Sequence, residues 1–247
     1  MIYAYRTEKG RRSRNEDRCR IPDEGERPLV IVADGMGGHQ AGNYASSKAV
    51  EVIADYVAQA PTELGVVPML RQAIASANRS IFEHSRMDDT LAGMGTTVVL
   101  ALLEPMKYTV AHIGDSRLYQ YRADSRKLYR ITKDHSYVQE LVMAGYISEE
   151  QALTHPQRNI LTRAVGTSGF EKADISTRSW RIGDKLLLCS DGLCGYVTDQ
   201  AIERVLRTTE DALDCCDALT ELALESGSTD NITIVIAQNA EVRSDGR

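Results

Sequence analysis

The chain has 247 residues, a formal net charge of −6, 43% hydrophobic and 26% charged residues, a balance that fits one globular domain and excludes a fibrous or low-complexity chain. The acidic excess argues against general nucleic-acid affinity, because phosphate backbones are met by basic patches and the arginines of RTEKGRRSRNEDR alternate with acids. No apolar run of about 18 residues is present and MIYAYRTEKG lacks the apolar core of a signal peptide, so a cytoplasmic protein with no membrane partner is expected.

In chain order, strands are predicted at 2–7 and 28–33, followed by two back-to-back helical patterns, NYASSKAVEVIADYVAQA and VVPMLRQAIASANRSIFEHSR. Further strands are predicted at 95–103, 107–113, 117–121 and 127–131, then a helical pattern in DHSYVQELVMAGYISEEQA. Strands at 174–181 and 185–190, helices in TDQAIERVLRTT and EDALDCCDALTELALES, and a strand at 231–237 complete the chain. Connections as tight as IGDS favour antiparallel hairpins over crossovers, so the class is α+β, with sheets covered by helices arriving in pairs. Nothing Pro-rich or Ser-rich divides the chain, so residues 1–247 are read as one domain. Residues 134–168 break the rhythm, and an insertion of that length on a sheet rim is either a lid or recognition element or plain structural filler. Cys19, Cys189, Cys194, Cys215 and Cys216 form no C-x-x-C pair, so neither a disulfide framework nor a cysteine zinc site is indicated.

Four acidic motifs sit at predicted strand ends. VADGMGG ends the 28–33 strand at Asp34, IGDSR ends 107–113 at Asp115, LLLCSDGL ends 185–190 at Asp191, and STDNITIVI opens 231–237 at Asp230. RNEDR adds Glu16 and Asp17 just before a segment at 17–21. Each alone reads as turn chemistry, since Asp bonds its own backbone and Gly accepts positive φ. Together they place like charges at the ends of apolar strands, where they repel unless cations neutralise them. Oxygen ligands without Cys or paired His select Mg2+ or Mn2+ over zinc. Asp34 is then a metal ligand, and the glycines after it leave room for close approach of backbone and substrate. A dinucleotide fingerprint is excluded because an aspartate before the glycines repels the pyrophosphate, and an EF-hand because its alternating acids are missing.

RRSRNEDR, VADGMGGHQAG, GMGTTVV, AHIGDSRLY, LLLCSDGL and STDNITIVI, in that order, resemble the metal-dependent serine/threonine protein phosphatases of the PPM family, type 2C, in their compact bacterial form. The resemblance implies a four-layer αββα sandwich, two antiparallel β-sheets flanked by pairs of helices, with a two-metal centre at one edge. It implies that Asp34 bridges two Mn2+ or Mg2+ ions, that the Gly35 carbonyl joins one, and that Asp191 and Asp230 hold the second. Glu16 would act through bound water, Asp17 and Asn231 would support the ligands, and Asp115 with Asp191 would form a weaker third site. Arg12 takes the place of the phosphate-binding arginine, so Arg12, Asp34, Asp191 and Asp230 are the expected catalytic set. Two cations about 3.5 to 4 Å apart lower the pKa of a bridging water and hold the resulting hydroxide in line with phosphorus.

Met36 stands where eukaryotic relatives carry a histidine proposed as general acid, and a lone His39 in a Gly-rich loop reads as structural. TEKG at 7–10 departs mildly from the usual Thr-Asp-x-Gly. The family places a mobile flap at 134–168, where His135, His155 and Arg163 are candidates for substrate contact. The implied partners are phosphorylated proteins and a cognate serine/threonine kinase, and a monomer is expected. A catalytically dead relative is disfavoured because Glu16, Asp34, Asp191 and Asp230 are all present. A two-metal phosphodiesterase or nuclease is disfavoured on nucleic acid by the acidic balance and the lack of a basic groove, with small nucleotides left open.

Overall fold

The computed structural model describes residues 1–37, 41–169 and 172–240. It opens with β1 (Ile2–Glu8), β2 (Asp17–Arg20) and β3 (Leu29–Met36), then helices α1 (Ala41–Gln59) and α2 (Val66–Met87). Strands β4 (Gly95–Thr96), β5 (Val98–Leu103), β6 (Lys107–Ile113), β7 (Arg117–Arg122) and β8 (Lys127–Arg130) follow, then the short helices α3 (Tyr137–Met143) and α4 (Glu149–Leu153). The chain continues through β9 (Asp174–Ser179), β10 (Lys185–Cys189), α5 (Asp191–Cys194), α6 (Asp199–Thr208), α7 (Ala212–Glu225) and β11 (Ile232–Gln238).

Two sheets form, one ordered β1-β11-β10-β7-β8 and the other β2-β3-β5-β6-β9, with β4 pairing the end of β3. Every pairing is antiparallel. Strand alternation divides the apolar residues into layers. On β3 and β5, Val30, Val32, Val99, Ala101 and Leu103 face the other sheet, where they meet Leu186, Leu188 and Val235. Leu29, Ile31, Ala33, Val98, Leu100 and Leu102 face outward onto α1 and α2. The second sheet repeats the arrangement, with Leu187, Ile234 and Ile236 facing α6 and α7. These strands are apolar on both faces because both faces are covered, and each fully buried Val, Leu or Ile contributes roughly 1.5 to 3 kcal/mol. The expected four-layer sandwich is the observed one.

Beyond shifts of a few residues at element ends, three differences from the sequence reading stand out. The predicted strand 95–103 is broken at Thr97, which leaves the ladder to bond Asp34 on both sides: its N–H donates to the Asp34 carbonyl at 2.8 Å and its Oγ1 accepts from the Asp34 N–H at 3.0 Å. The helical pattern across 134–152 divides into α3 and α4 at Gly145, whose φ of +76° no helix interior accepts. A capping box of Ser148 and Gln151 then restarts the chain as α4. Finally, Asp34 lies inside β3 rather than at its end, opposite Asp17 of β2.

Candidate active site

A cavity of about 760 Å³ opens where the two sheets meet at one edge, and its lining includes Arg12, Glu16, Asp34, Gly35, Asp115, Asp191, Asp230 and Asn231. Each acid arrives from a different element: Asp34 from β3, Asp115 from the β6–β7 turn, Asp191 from the first residue of α5, and Asp230 from the approach to β11. Asp17, the first residue of β2, is buried directly behind Asp34.

Asn231 ties the segments together. Its Oδ1 accepts from the Glu16 N–H at 2.8 Å, and its Nδ2 donates to the carbonyls of Lys9 and Arg14, each at 2.9 Å. Its own N–H donates to Asp230 Oδ1 at 2.8 Å, which fixes that carboxylate. The Glu16 carbonyl accepts from the Gly35 N–H at 3.2 Å and from Ser46 Oγ at 2.5 Å, linking the N-terminal loop to β3 and α1. The glycines answer a packing demand of the chain itself. A Cβ on Gly35 would lie 2.0 Å from the Gly42 carbonyl oxygen, so the glycine admits the start of α1 rather than a substrate.

The electrostatics are those of crowded acids. Burial, reinforced by Asp17, Asp191 and Asp115, holds the Asp34 carboxyl well above the usual carboxylate range. Burial acts likewise on Asp191, reinforced by Asp115 and Asp230. It raises Asp17 to about 6 despite a hydrogen bond from Ser190, and Asp115 to about 6 with Asp134 adding repulsion. Asp17 Oδ1 and Asp191 Oδ1 are buried with no hydrogen-bond partner among the described residues. Of these, Asp191 lines the cavity, and a buried carboxylate oxygen with no protein donor there fits a cation ligand. The donor set is all oxygen, so the residues fit hard divalent ions of the Mg2+ or Mn2+ kind.

Arg12, largely exposed, donates through Nη2 to Asp230 Oδ2 at 2.7 Å, and that bond raises its own pKa. Met36 also lines the cavity. His39 lies outside the described residues. Of the three flap candidates, Arg163 lines the cavity but turns to Asp174 at 3.1 Å, to the His135 ring at 2.7 Å and to the Lys172 carbonyl. His135 is buried, stacked on His112 with ring centroids 4.6 Å apart, and His155 sits beside Tyr137.

His112, His135 and Asp174 bring potential ligand atoms within 4.8 Å of one another, yet their hydrogen bonds oppose metal binding. His135 Nδ1 accepts from the Gly114 N–H at 3.0 Å and so is closed to an ion, and Nε2 stands 3.3 Å from Asp174 Oδ2 and 2.7 Å from the Arg163 Nη1 donor. The Arg163 cation, bonded to both Nε2 and Asp174, occupies the space that an ion would need. The group ties the 134–163 segment to the turn carrying Asp115.

Sequence reasoning missed three hydroxyl residues that orient the acids. Thr97 Oγ1 bonds the Asp34 N–H and Ser116 Oγ, and Ser190 Oγ donates to Asp17 Oδ2 at 2.7 Å while accepting from the Thr233 N–H. Ser116 and Ser190 are signalled only by adjacency to an acid, in IGDSR and CSDG, and Thr97 only by its place in GMGTTVV.

Comparison with known proteins bears on this arrangement. The protein phosphatase 2C family profile matches residues 7–225. The serine/threonine phosphatase stp of Listeria monocytogenes is 37% identical over 243 residues, covering 96% of each chain. The crystal structure of the Mycobacterium tuberculosis serine/threonine phosphatase PstP/Ppp superposes with a TM-score of 0.87 at 38% identity, covering 97% of this chain and 99% of that one. The catalytic domain of PstP in complex with two manganese ions superposes with a TM-score of 0.85 at 36% identity, covering 97% and 98%. With its fold, its cavity acids and these relatives in agreement, the chain belongs to the protein phosphatase 2C family of serine/threonine protein phosphatases.

Proposed function

We propose that this chain hydrolyses phosphoserine and phosphothreonine in other proteins, using divalent ions, Mn2+ or Mg2+, held by Glu16, Asp34, the Gly35 carbonyl, Asp191 and Asp230. Asp115 with Asp191 would offer a third, weaker position. The observation that carries the reading is the convergence of Asp34, Asp115 and Asp191 on one cavity, each with its pKa raised by burial and mutual repulsion. Divalent cations would relieve that repulsion with the carboxylates ionised, and Arg12 alone is too exposed to do so.

When bound, the ions neutralise phosphoryl charge and lower the pKa of water enough to supply hydroxide near neutrality. The protein's part is positional. Asp17 and Ser190 hold the floor beneath Asp34, Asn231 holds Glu16 and Asp230 in register, and Thr97 fixes the Asp34 backbone. Arg12 presents a planar fork at the cavity mouth and would grip two phosphoryl oxygens, offsetting charge that grows in the transition state. Met36 has no proton to give, so the departing serine or threonine oxygen takes its proton from water.

The acidic net charge and the absence of a described helix long and apolar enough to cross a membrane support a role on cytoplasmic phosphoproteins, opposing a serine/threonine kinase in signalling. We read the chain as one domain with a flap at about 134–168, acting as a monomer. The test is hydrolysis of a phosphothreonine peptide with EDTA, with Mg2+ and with Mn2+, with Asp34→Asn alongside. Turnover is expected only with divalent metal and only in the unsubstituted protein. Turnover that survives EDTA or Asp34→Asn overturns the reading.

A further inference from the structure

A second cavity, of about 530 Å³, leads away from the acids. It shares Arg12, Asp115, Asp191, Asp230 and Asn159 with the first, so the two form one continuous space. One wall is the flap, through α3 and α4. The facing wall is the stretch from α5 into α6. Both walls are apolar near their middle: Val138 and Val142 on α3 and Leu153 on α4 stand on the flap side, and Val197 stands on the other. Leu153 is 53% exposed although it lines this cavity. Exposed apolar side chains gather on the same flap, since Tyr137, Met143, Tyr146 and Ile160 also present more than a third of their surface to water. Apolar residues lining a groove that opens into the cavity of the acids mark a place where a partner chain lies.

The charges in the groove divide by depth. At the floor, Arg117 and Arg130 both pair with Asp134, with Arg117 Nη2 at 2.8 Å, and all three side chains are mostly covered. At the rim, Glu149 and Glu150 are exposed at the start of α4, and none of the ion pairs among the described residues uses them. Asp199 on the facing wall adds a third rim acid, and Arg158 opposes them with one positive charge. The rim is therefore net acidic. A cationic side chain near it is favoured, and an anionic one is repelled.

We propose that this groove is the subsite for the polypeptide flanking the phosphoresidue. It takes an extended stretch that lays an apolar side chain between Leu153 and Val197 and sets a lysine or arginine against Glu149 and Glu150. The inference deepens the phosphatase reading and rests on it. Its substrate class is the phosphoprotein whose modified residue lies in a basic, apolar local sequence.

The groove is lined by the flap, by the α5–α6 stretch and by Asp115, Asp191 and Asp230, so an extended chain laid along it reaches the acids that would meet the phosphate. A small phosphate ester reaches those acids without touching Leu153, Glu149 or Glu150. Peptide preference and phosphoester cleavage are therefore separable.

The experiment measures kcat/KM of the full chain, with Mn2+, on three phosphothreonine peptides of equal length. One carries Arg and Leu beside the phosphothreonine, one replaces Arg by Glu, and one replaces Leu by Ser. p-Nitrophenyl phosphate is run on the unsubstituted protein. The Arg-Leu peptide is expected to exceed the Glu-Leu peptide by about tenfold, and Glu149→Lys with Glu150→Lys to bring that ratio to about one or below. Leu153→Ser is expected to erase the advantage of Leu over Ser while leaving the Arg over Glu ratio in place. Each ratio is internal to one protein preparation, so a loss of folded fraction does not move it.

Equal rates on the three peptides, or an Arg over Glu ratio unmoved by the double charge reversal, overturn the groove assignment while p-nitrophenyl phosphate turnover leaves the phosphatase reading standing. No turnover of p-nitrophenyl phosphate or of any peptide, with Mn2+ or Mg2+, overturns the phosphatase reading and the groove with it.

Discussion

Arg12 Nη2 donates to Asp230 Oδ2 at 2.7 Å, and the second oxygen of the same carboxylate accepts from the Asn231 N–H at 2.8 Å. The proposed phosphate-binding cation is thus held by a proposed metal ligand, and both groups answer to the same oxygens. Arginine and a divalent ion compete for Asp230, while arginine and phosphate attract each other. Loading the centre with metal would free the guanidinium toward the cavity mouth, where it is already more than half exposed.

Arg12→Ala separates these two attachments. Removing a donor that acts on the phosphoryl group costs about a hundred- to thousandfold in turnover. It also removes the competitor at Asp230, so Mn2+ affinity is expected to hold or tighten. Steady-state kinetics and calorimetric Mn2+ titration of the same preparation check both. Weakened metal binding in Arg12→Ala would contradict the assignment of Arg12 to phosphate.

The crowded acids set the pH dependence of stability when no divalent ion is bound. Asp17 and Asp115 have pKa values raised from 3.8 to about 6, and Asp34 and Asp191 are raised further in the same direction. A carboxyl with a raised folded-state pKa binds its proton more tightly when folded, so its contribution is present in full below about pH 4 and is lost as pH rises through about 6. In EDTA, the melting temperature is therefore expected to fall between about pH 5 and about pH 8. Mn2+ is expected to raise it far more at the upper pH, where the acids are charged. Calorimetry across that range with EDTA and with Mn2+ measures both, and a melting temperature that climbs with pH in EDTA would refute the repulsion.

How much of this could be read from the chain follows from which forces are local. The apolar runs at 28–33 and 95–103 and the amphipathic spacing of the paired helices are local and point to the α+β class, whereas the four observed layers are implied only by the family resemblance. The acids Asp34, Asp115, Asp191 and Asp230 are legible because a charge at the end of an apolar run conflicts with its surroundings. The four-residue helix that opens at Asp191 is not legible, because DGLC has no periodicity to measure. Nor are Thr97, Ser116 and Ser190, whose partners lie far away in sequence, as Ser190 and Asp17 show. The true reason for Gly35 is also non-local. It is the helix start at Gly42, which no reading of VADGMGG alone contains.

The same logic makes Gly192 a sensitive position. A Cβ there would lie 1.9 Å from the Asn231 carbonyl oxygen, and that oxygen belongs to the residue that fixes Glu16 and Asp230. Backbone atoms on both sides leave no side chain to swing away. Gly192→Ala is expected to push α5 and the 229–231 segment apart, separating Asp191 from Asp230. Mn2+ affinity should weaken by about tenfold or more, in line with the loss on disturbing groups that orient metal ligands. Mn2+ titration against the unsubstituted protein decides it, with circular dichroism to establish that the sheets persist. Unchanged metal affinity would mean that the two segments do not share one site.

The flap returns to the body of the protein through Asn78, which stands on α2 with its side chain buried. Asn78 Oδ1 accepts from the Gly166 N–H at 2.6 Å and the Thr167 N–H at 3.1 Å, and Nδ2 donates to the Thr167 carbonyl at 3.3 Å. Beside it, Val165 and Thr96 exchange backbone hydrogen bonds, both at 2.9 Å, so one side chain and one bridge hold the end of the flap against β4. Asn78→Ala strands the Gly166 N–H in a buried place, and an unpaired buried donor costs about 1 to 3 kcal/mol. Asn78→Asp keeps the acceptor for both N–H groups and loses only the donor to Thr167, so it should retain more of the stability. Urea melts are expected to rank the unsubstituted protein above Asn78→Asp and that above Asn78→Ala. Hydrogen exchange at 164–167 should quicken in the same order. If exchange there is unchanged in Asn78→Ala while global stability falls, Asn78 serves the core of α2 and not the flap.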